Sequence, residues 1–203
     1  MASKATKVKL SRQLGIPLTP KAIRFMERKP HPPGEHGARR QRAAKVSDYK
    51  RQLMEKQRLR HQYNLDEKQL RTQIRKASRK QGDPTDNIIQ ALETRLDAMV
   101  FRAGLAKTIF AARQYVNHRH ILLNGKWVSR PSHRVRVGDV VSVRPKSRKL
   151  PCFVSAAEEM VGPAPPYLER SREEMSAKLT HLPEREEVPV SCLIGHVIEY
   201  YSR

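Results

Sequence analysis

The stretch that decides the reading of this chain is His120–Val143, HILLNGKWVSRPSHRVRVGDVVSV. Ile121–Leu123 is an apolar, β-prone run, and Asn124-Gly125 supplies two residues that tolerate positive φ, the requirement of a type I′ hairpin turn. Lys126–Val128 then reads as the return strand. Arg134, Val135, Arg136 and Val137 alternate, Gly138-Asp139 turns the chain, and Val140–Val143 closes a small sheet. Nearly every position of this stretch that faces water carries Lys, Arg, His, Ser or Asn, and almost none carries an acid.

Upstream, Thr108 is placed to cap a helix from Ile109 to about Asn117, with Ile109, Ala112 and Val116 inward. Arg113 and Asn117 lie one turn apart on another face. Before it, Ile88, Ile89, Leu92, Leu96, Met99, Val100 and Ala103 recur at helical steps, which predicts one helix from Thr85 or Asp86 to Gly104. Phosphates are met by cations, amides and hydroxyls, and base edges by a few polar side chains on a rigid frame. Arg113, Asn117, His118, His120, Asn124 and Lys126 supply such a frame.

Further upstream, Ser47 reads as the N-cap of a helix over Asp48–Tyr63. Its thin apolar stripe of Leu53, Leu59 and tyrosines is ringed by Lys50, Arg51, Lys56, Arg58 and Arg60. A short helix follows from Glu67 to about Lys80, with Leu70, Ile74 and Ala77 on one face, and Gly82-Asp83-Pro84 stops it. Residues 1–47 are too rich in charge and proline for a core of their own and are expected as a basic extended arm. Within it, Pro32-Pro33-Gly34 is a turn, and Arg39, Arg40, Arg42 and Lys45 crowd into seven residues. Beyond Pro145, Gly162 to Pro166 is a loop, Glu169–Lys178 a short helix, and VIEYYSR (197–203) a closing strand.

The 203 residues carry 41 Lys and Arg against 20 Asp and Glu, a net charge of +21. The excess is +16 over residues 1–83 and +9 over 84–150, and it reverses to −4 over 151–203. A polyanion therefore belongs against the first three quarters of the chain, and the acidic tail faces something else. No run approaches the roughly 18 apolar residues of a spanning helix, and the N-terminus lacks the apolar stretch of a signal peptide. Cys152 and Cys192 stand far apart, which fits a reducing interior, so a cytoplasmic protein is expected. His118, His120, His31 and His36 have no Cys or carboxylate partner at ligand spacing, and no nucleophile with an organised base is visible. No metal, no cofactor and no enzymatic activity are expected.

Arg95–Ser147, RLDAMVFRAGLAKTIFAARQYVNHRHILLNGKWVSRPSHRVRVGDVVSVRPKS, resembles the RNA-binding module named after small-subunit ribosomal protein four. The matching marks are Arg95-Leu96-Asp97, Ala112-Arg113-Gln114, His120-Ile121, Asn124-Gly125 and Gly138-Asp139. The flanks PPGEHGARR (32–40), SDYKRQLMEKQRLRHQY (47–63) and VIEYYSR are similar to signatures of the bacterial ribosomal family itself. The resemblance implies an α+β fold: an arm over 1–47, a helical domain over 48–89 completed by a C-terminal strand within 170–203, and a small inserted RNA-binding module over 90–165. It implies a structural component of the small ribosomal subunit that binds the 5′-domain junction of the ribosomal RNA, nucleates assembly, lines the mRNA entry path and meets small-subunit protein five, influencing accuracy. Arg95, Arg134 and Arg136 join the RNA candidates. Met175, Lys178, His181, Glu184 and Arg185 are expected at the protein interface. With no Cys before Cys152 the chain resembles the zinc-free form, and it departs from the family's common pattern at Tyr115 and Arg119. The rivals are a free RNA chaperone and the RNA-binding handle of a modifying enzyme.

Overall fold

In the computed structural model, residues 4–35, 37, 46–158 and 164–202 are described. The chain divides into two compact units, residues 1–71 with 190–203, and residues 72–189.

The first unit is helical. α1 (Lys4–Leu14) and α2 (Pro20–Arg28) form within the region expected as an extended arm. The reason is a small local core: Leu14, Ile16, Leu18 and Ala22 are buried, and buried Ser11 accepts the Leu18 amide while donating to the Lys7 carbonyl. α3 (Asp48–Gln62) starts where Ser47 accepts the Lys50 amide, and it packs along α9 (Ile194–Ser202). α9 corrects the expected C-terminal strand. Its Val, Ile and Tyr content mimics a strand, but Ile194, Val197, Ile198 and Tyr201 recur at helical spacing, and Ile194 and Val197 bury that face. Glu55, largely buried on α3, accepts the Leu193 amide just ahead of α9, and Gln52 donates to Glu199.

The second unit is α+β. α5 (Pro84–Glu93) and α6 (Leu96–Arg102) replace the single helix expected between Thr85 and Gly104. The break at Thr94-Arg95 is held from outside: the loop 131–135 offers carbonyls of His133 and Pro131 to the amides of Leu96 and Asp97, and the Val135 amide returns to the Thr94 carbonyl. α7 (Ile109–Asn117) is capped by Thr108, whose hydroxyl accepts the Ala111 amide at 3.1 Å. Then come β1 (Ile121–Leu123), β2 (Lys126–Trp127), β3 (Val140–Val143), α8 (Pro151–Glu158), β4 (Leu168–Ser171) and β5 (Ser176–Leu179). α4 (Glu67–Ser78) precedes α5 in the chain.

The strands make one antiparallel sheet in the order β2-β1-β3-β5-β4. Asn124 and Gly125 sit at φ +48° and +78°, as a type I′ turn demands. Arg134–Val137, expected to alternate as a strand, is a loop tied down by one bridge between Arg134 and Arg95. The expected helix over Glu169–Lys178 is instead the β4–β5 hairpin. Its Glu, Arg, Met and Ala content favours helix, but pairing of β5 with β3 and burial of Leu168, Ala177 and Leu179 prevail. At the end of α5, Glu93 is fully buried, gripped by Arg102 and by the Tyr167 hydroxyl at 3.1 Å. Burial, with Glu93 beside it, pushes the Tyr167 hydroxyl well above its usual range.

Candidate nucleic-acid interface

The frame of the site is the end of α7 running into the β1–β2 hairpin. The last turn of α7 closes with two bonds, from the Arg119 amide to the Val116 carbonyl and from the His120 amide to the Tyr115 carbonyl. This is the Schellman arrangement, and it places Arg119 at φ +61°. Phe153 of α8 packs against Tyr115 (centroids 4.7 Å apart) and His120 (6.0 Å), so an aromatic cluster supports the turn from below. Burial, with Cys152 beside it, pushes the Tyr115 hydroxyl up to about 12.

On this frame Asn117 and His118 are exposed, and His120 is half-buried with its Nδ1 2.9 Å from the Ser147 hydroxyl. Burial lowers the His120 pKa, and the nearby charges of His118 and Arg144 lower it further. Lys126 is exposed on β2. Arg113 is half-buried, and its charge acts on the buried Asp97. Arg134 and Arg136 are exposed, with Arg134 donating to Gln73. From Thr108 to Val137 the chain contains no acid at all.

Three sequence-predicted contacts are committed to the fold. Arg95 is 3% exposed and pairs bidentately with Asp97 at 3.0 and 2.7 Å. Burial raises the Asp97 carboxyl despite that pairing. Asn124 spends its side chain on the hairpin, donating to Asp139 and accepting the Val140 amide, both at 2.8 Å. Lys56 is 4% exposed, bonded to Glu67 at 2.9 Å and lying over the Tyr200 ring. Of the other cations in the helical unit, Arg58 is half-buried and donates to the Leu14 carbonyl and Glu55. Lys50 and Arg51 are exposed at the start of α3, Arg51 facing Asp48 at 3.6 Å. Arg39, Arg40, Arg42 and Lys45, with His36, lie outside the described residues.

Sequence reasoning passed over Arg119, Trp127, Arg130, His133, Arg144 and Lys146, all exposed in this unit. The signal that finds them is the absence of acids rather than any motif. Met175, Lys178, His181, Glu184 and Arg185 belong to the β4–β5 hairpin and the loop after it. Met175 turns the hairpin at φ +46°, and Lys178 is exposed on β5. His181 meets the Glu187 carboxylate at 2.9 Å, Glu187 also accepts the Glu184 amide, and Arg185 donates to the Val188 carbonyl. The amide and His181 hold the Glu187 carboxyl below its ordinary value.

A capped helix feeding a basic, acid-free hairpin is a surface built to meet a nucleic-acid backbone. Residues 94–141 match the S4 domain, and residues 3–93 match the ribosomal protein S4/S9 N-terminal domain. Along its length the chain is 49% identical to small ribosomal subunit protein uS4 of Bifidobacterium animalis subsp. lactis, over 97% of this chain and 96% of the relative. It is 47% identical to uS4 of Clavibacter sepedonicus over 97% and 95%, and 48% identical to uS4 of Tropheryma whipplei over 98% of both. The chain belongs to the uS4 family of small ribosomal subunit proteins. The family is structural, and the protein is not an enzyme. No described helix is long and apolar enough to cross a membrane.

Proposed function

We propose that the protein binds the 5′-domain junction of the small-subunit ribosomal RNA and nucleates assembly of the subunit in the cytoplasm. One observation carries this reading: the α7–hairpin frame presents His118, Lys126, Arg130, His133 and Arg144 to solvent without an acid between Thr108 and Val137. Helical RNA hides its base edges in a deep major groove, so such a surface reads backbone and shape. The test is filter binding of the full chain to a 5′-domain RNA fragment. Lys126→Ala and Arg144→Ala should weaken binding and leave the thermal melt unchanged, because both side chains are exposed. Leu96→Ala, fully buried, should cost about 2–5 kcal/mol of stability. A melt shifted as far by Lys126→Ala as by Leu96→Ala would return these cations to a structural role. Arg113→Ala is a poorer probe, since it also removes a cation that acts on buried Asp97.

Two finer roles belong to the same reading. Arg39, Arg40, Arg42 and Lys45 line the mRNA entry path, where contacts must slide along any sequence and phosphate is the right target. The segment from Met175 to Arg185 meets a basic protein, small-subunit protein five, and so bears on decoding accuracy. Its support is the acidic balance of the tail, with Glu169, Glu173, Glu174, Glu184 and Glu186 all exposed. Mutant ribosomes separate the two. Replacing Arg39, Arg40 and Arg42 by Ala should slow elongation through stable messenger hairpins more than on unstructured messengers. Glu184→Lys should raise miscoding and leave RNA binding intact, and loss of RNA binding with normal decoding would overturn the interface.

A further inference from the structure

Two residues of the second unit occupy positions that disfavour them. Arg119 sits in the left-handed region at φ +61°, a conformation that strains a residue with a Cβ and that glycine adopts freely. Trp127, the single tryptophan of the chain, is 58% exposed on a two-residue edge strand. The two meet: the Arg119 guanidinium carbon lies 4.3 Å from the centre of the Trp127 ring. Trp127 pairs with Leu122, which pairs with Ser142, so its ring projects from the sheet face opposite buried Ile121, Leu123, Val141 and Val143. With Arg119 against it, more than half of the tryptophan surface still meets solvent.

We propose that Arg119 and Trp127 form a stacking platform for an unpaired base of the bound RNA. Bases stack on indole rings and on guanidinium planes whatever their sequence, because every base has a π face. The exposed His118 and Lys126, neighbours in the chain of Arg119 and Trp127, are placed to meet the flanking phosphates. An acidic protein would pair with the cations but would leave the indole without a planar partner. The platform rests on the RNA-binding reading and adds a single-stranded specificity to it.

Because Trp127 is the sole tryptophan, its fluorescence reports the platform directly. The full chain is titrated with three probes: a single-stranded oligouridylate 12-mer, an abasic phosphodiester of equal length, and a blunt RNA duplex. Anisotropy of an end-labelled copy of each reads binding independently. The oligouridylate should quench Trp127, while the abasic strand and the duplex bind by anisotropy without quenching. Trp127→Ala should lower oligouridylate affinity about 5- to 150-fold, the range of one base stack, and leave duplex affinity unchanged. Arg119→Gly should also weaken oligouridylate binding while raising the thermal midpoint, since it relieves the backbone; a merely structural pairing would lower the midpoint. Binding of all three probes without quenching, and unaffected by Trp127→Ala, overturns the platform and leaves the RNA reading standing. Failure of every RNA probe to bind overturns both. Quenching by poly-glutamate and not by oligouridylate assigns the platform to a protein partner and overturns the proposal.

Discussion

At the scale of single residues, position in the sequence and role in the fold part company most clearly at Asn124, Lys56 and Arg95. Each is polar and expected against RNA, yet each spends its side chain on the protein: on the Val140 amide and Asp139, on Glu67, and on Asp97. His120 is a residue of the site whose charge changes with pH. Burial first, then His118 and Arg144, hold it below 6.5 in the folded protein, so the unfolded chain takes up its proton earlier. The stability His120 contributes is therefore complete above its ordinary value of 6.5 and is lost as pH falls from there through its lowered folded value. The free protein should show a lower thermal midpoint at pH 5.5 than at 7.5, and His120→Gln should shrink that difference. An equal difference in the variant would assign the effect to other groups, among them His61, which burial also holds low.

At the scale of elements, α7 is the piece that aims the basic turn, and its start is set by one side chain. Removing the Thr108 hydroxyl leaves the Ala111 amide without its cap, so Thr108→Ala should cost about 0.5–2 kcal/mol. Amide hydrogen exchange across Ile109–Asn117 should quicken accordingly, and unchanged protection would show that packing of Ile109, Ala112 and Val116 holds the helix unaided. α7, its cap, and the β1–β2 turn were legible because their signals are local: a threonine before an apolar period, and Asn-Gly between two apolar runs. The division of α5 from α6 was not legible, because the apolar stripe continues across the break. What divides the helices is a set of carbonyls from the loop 131–135, nearly forty residues downstream of the break. The β4–β5 hairpin escaped for the same reason, since its strand state depends on β3 as a partner.

At the scale of the whole molecule, the dominant quantity is the charge of +21, reversed only over the last quarter of the chain. If about 6–10 phosphates are neutralised, RNA affinity should fall by roughly 10³–10⁵ between 50 and 200 mM monovalent salt, as condensed counterions are released. Binding isotherms across that range measure it directly, and a flat dependence would sink a backbone-reading surface. The same charge keeps the chain from burying cations cheaply. Among the described residues the buried cations, Lys56 and Arg95, each stand against a carboxylate, as a low-dielectric site requires.

The amino-acid sequence by itself determined the partner class, the acid-free hairpin surface, the capped helix behind it and the α+β mixture. These follow from composition, from apolar period and from turn chemistry, which act over a few residues. Only the tertiary structure decided that α1 and α2 fold within the N-terminal region, that the C-terminal segment is helical against α3, and that Arg119 meets Trp127. The C-terminal helix depends on residues distant in the chain, the Arg119–Trp127 contact on a backbone angle that no local pattern announces, and α1 and α2 on a small core whose burial charge and proline content mask. Burial and pairing, which separate a cation of the core from a cation of the surface, exist only once the chain has folded.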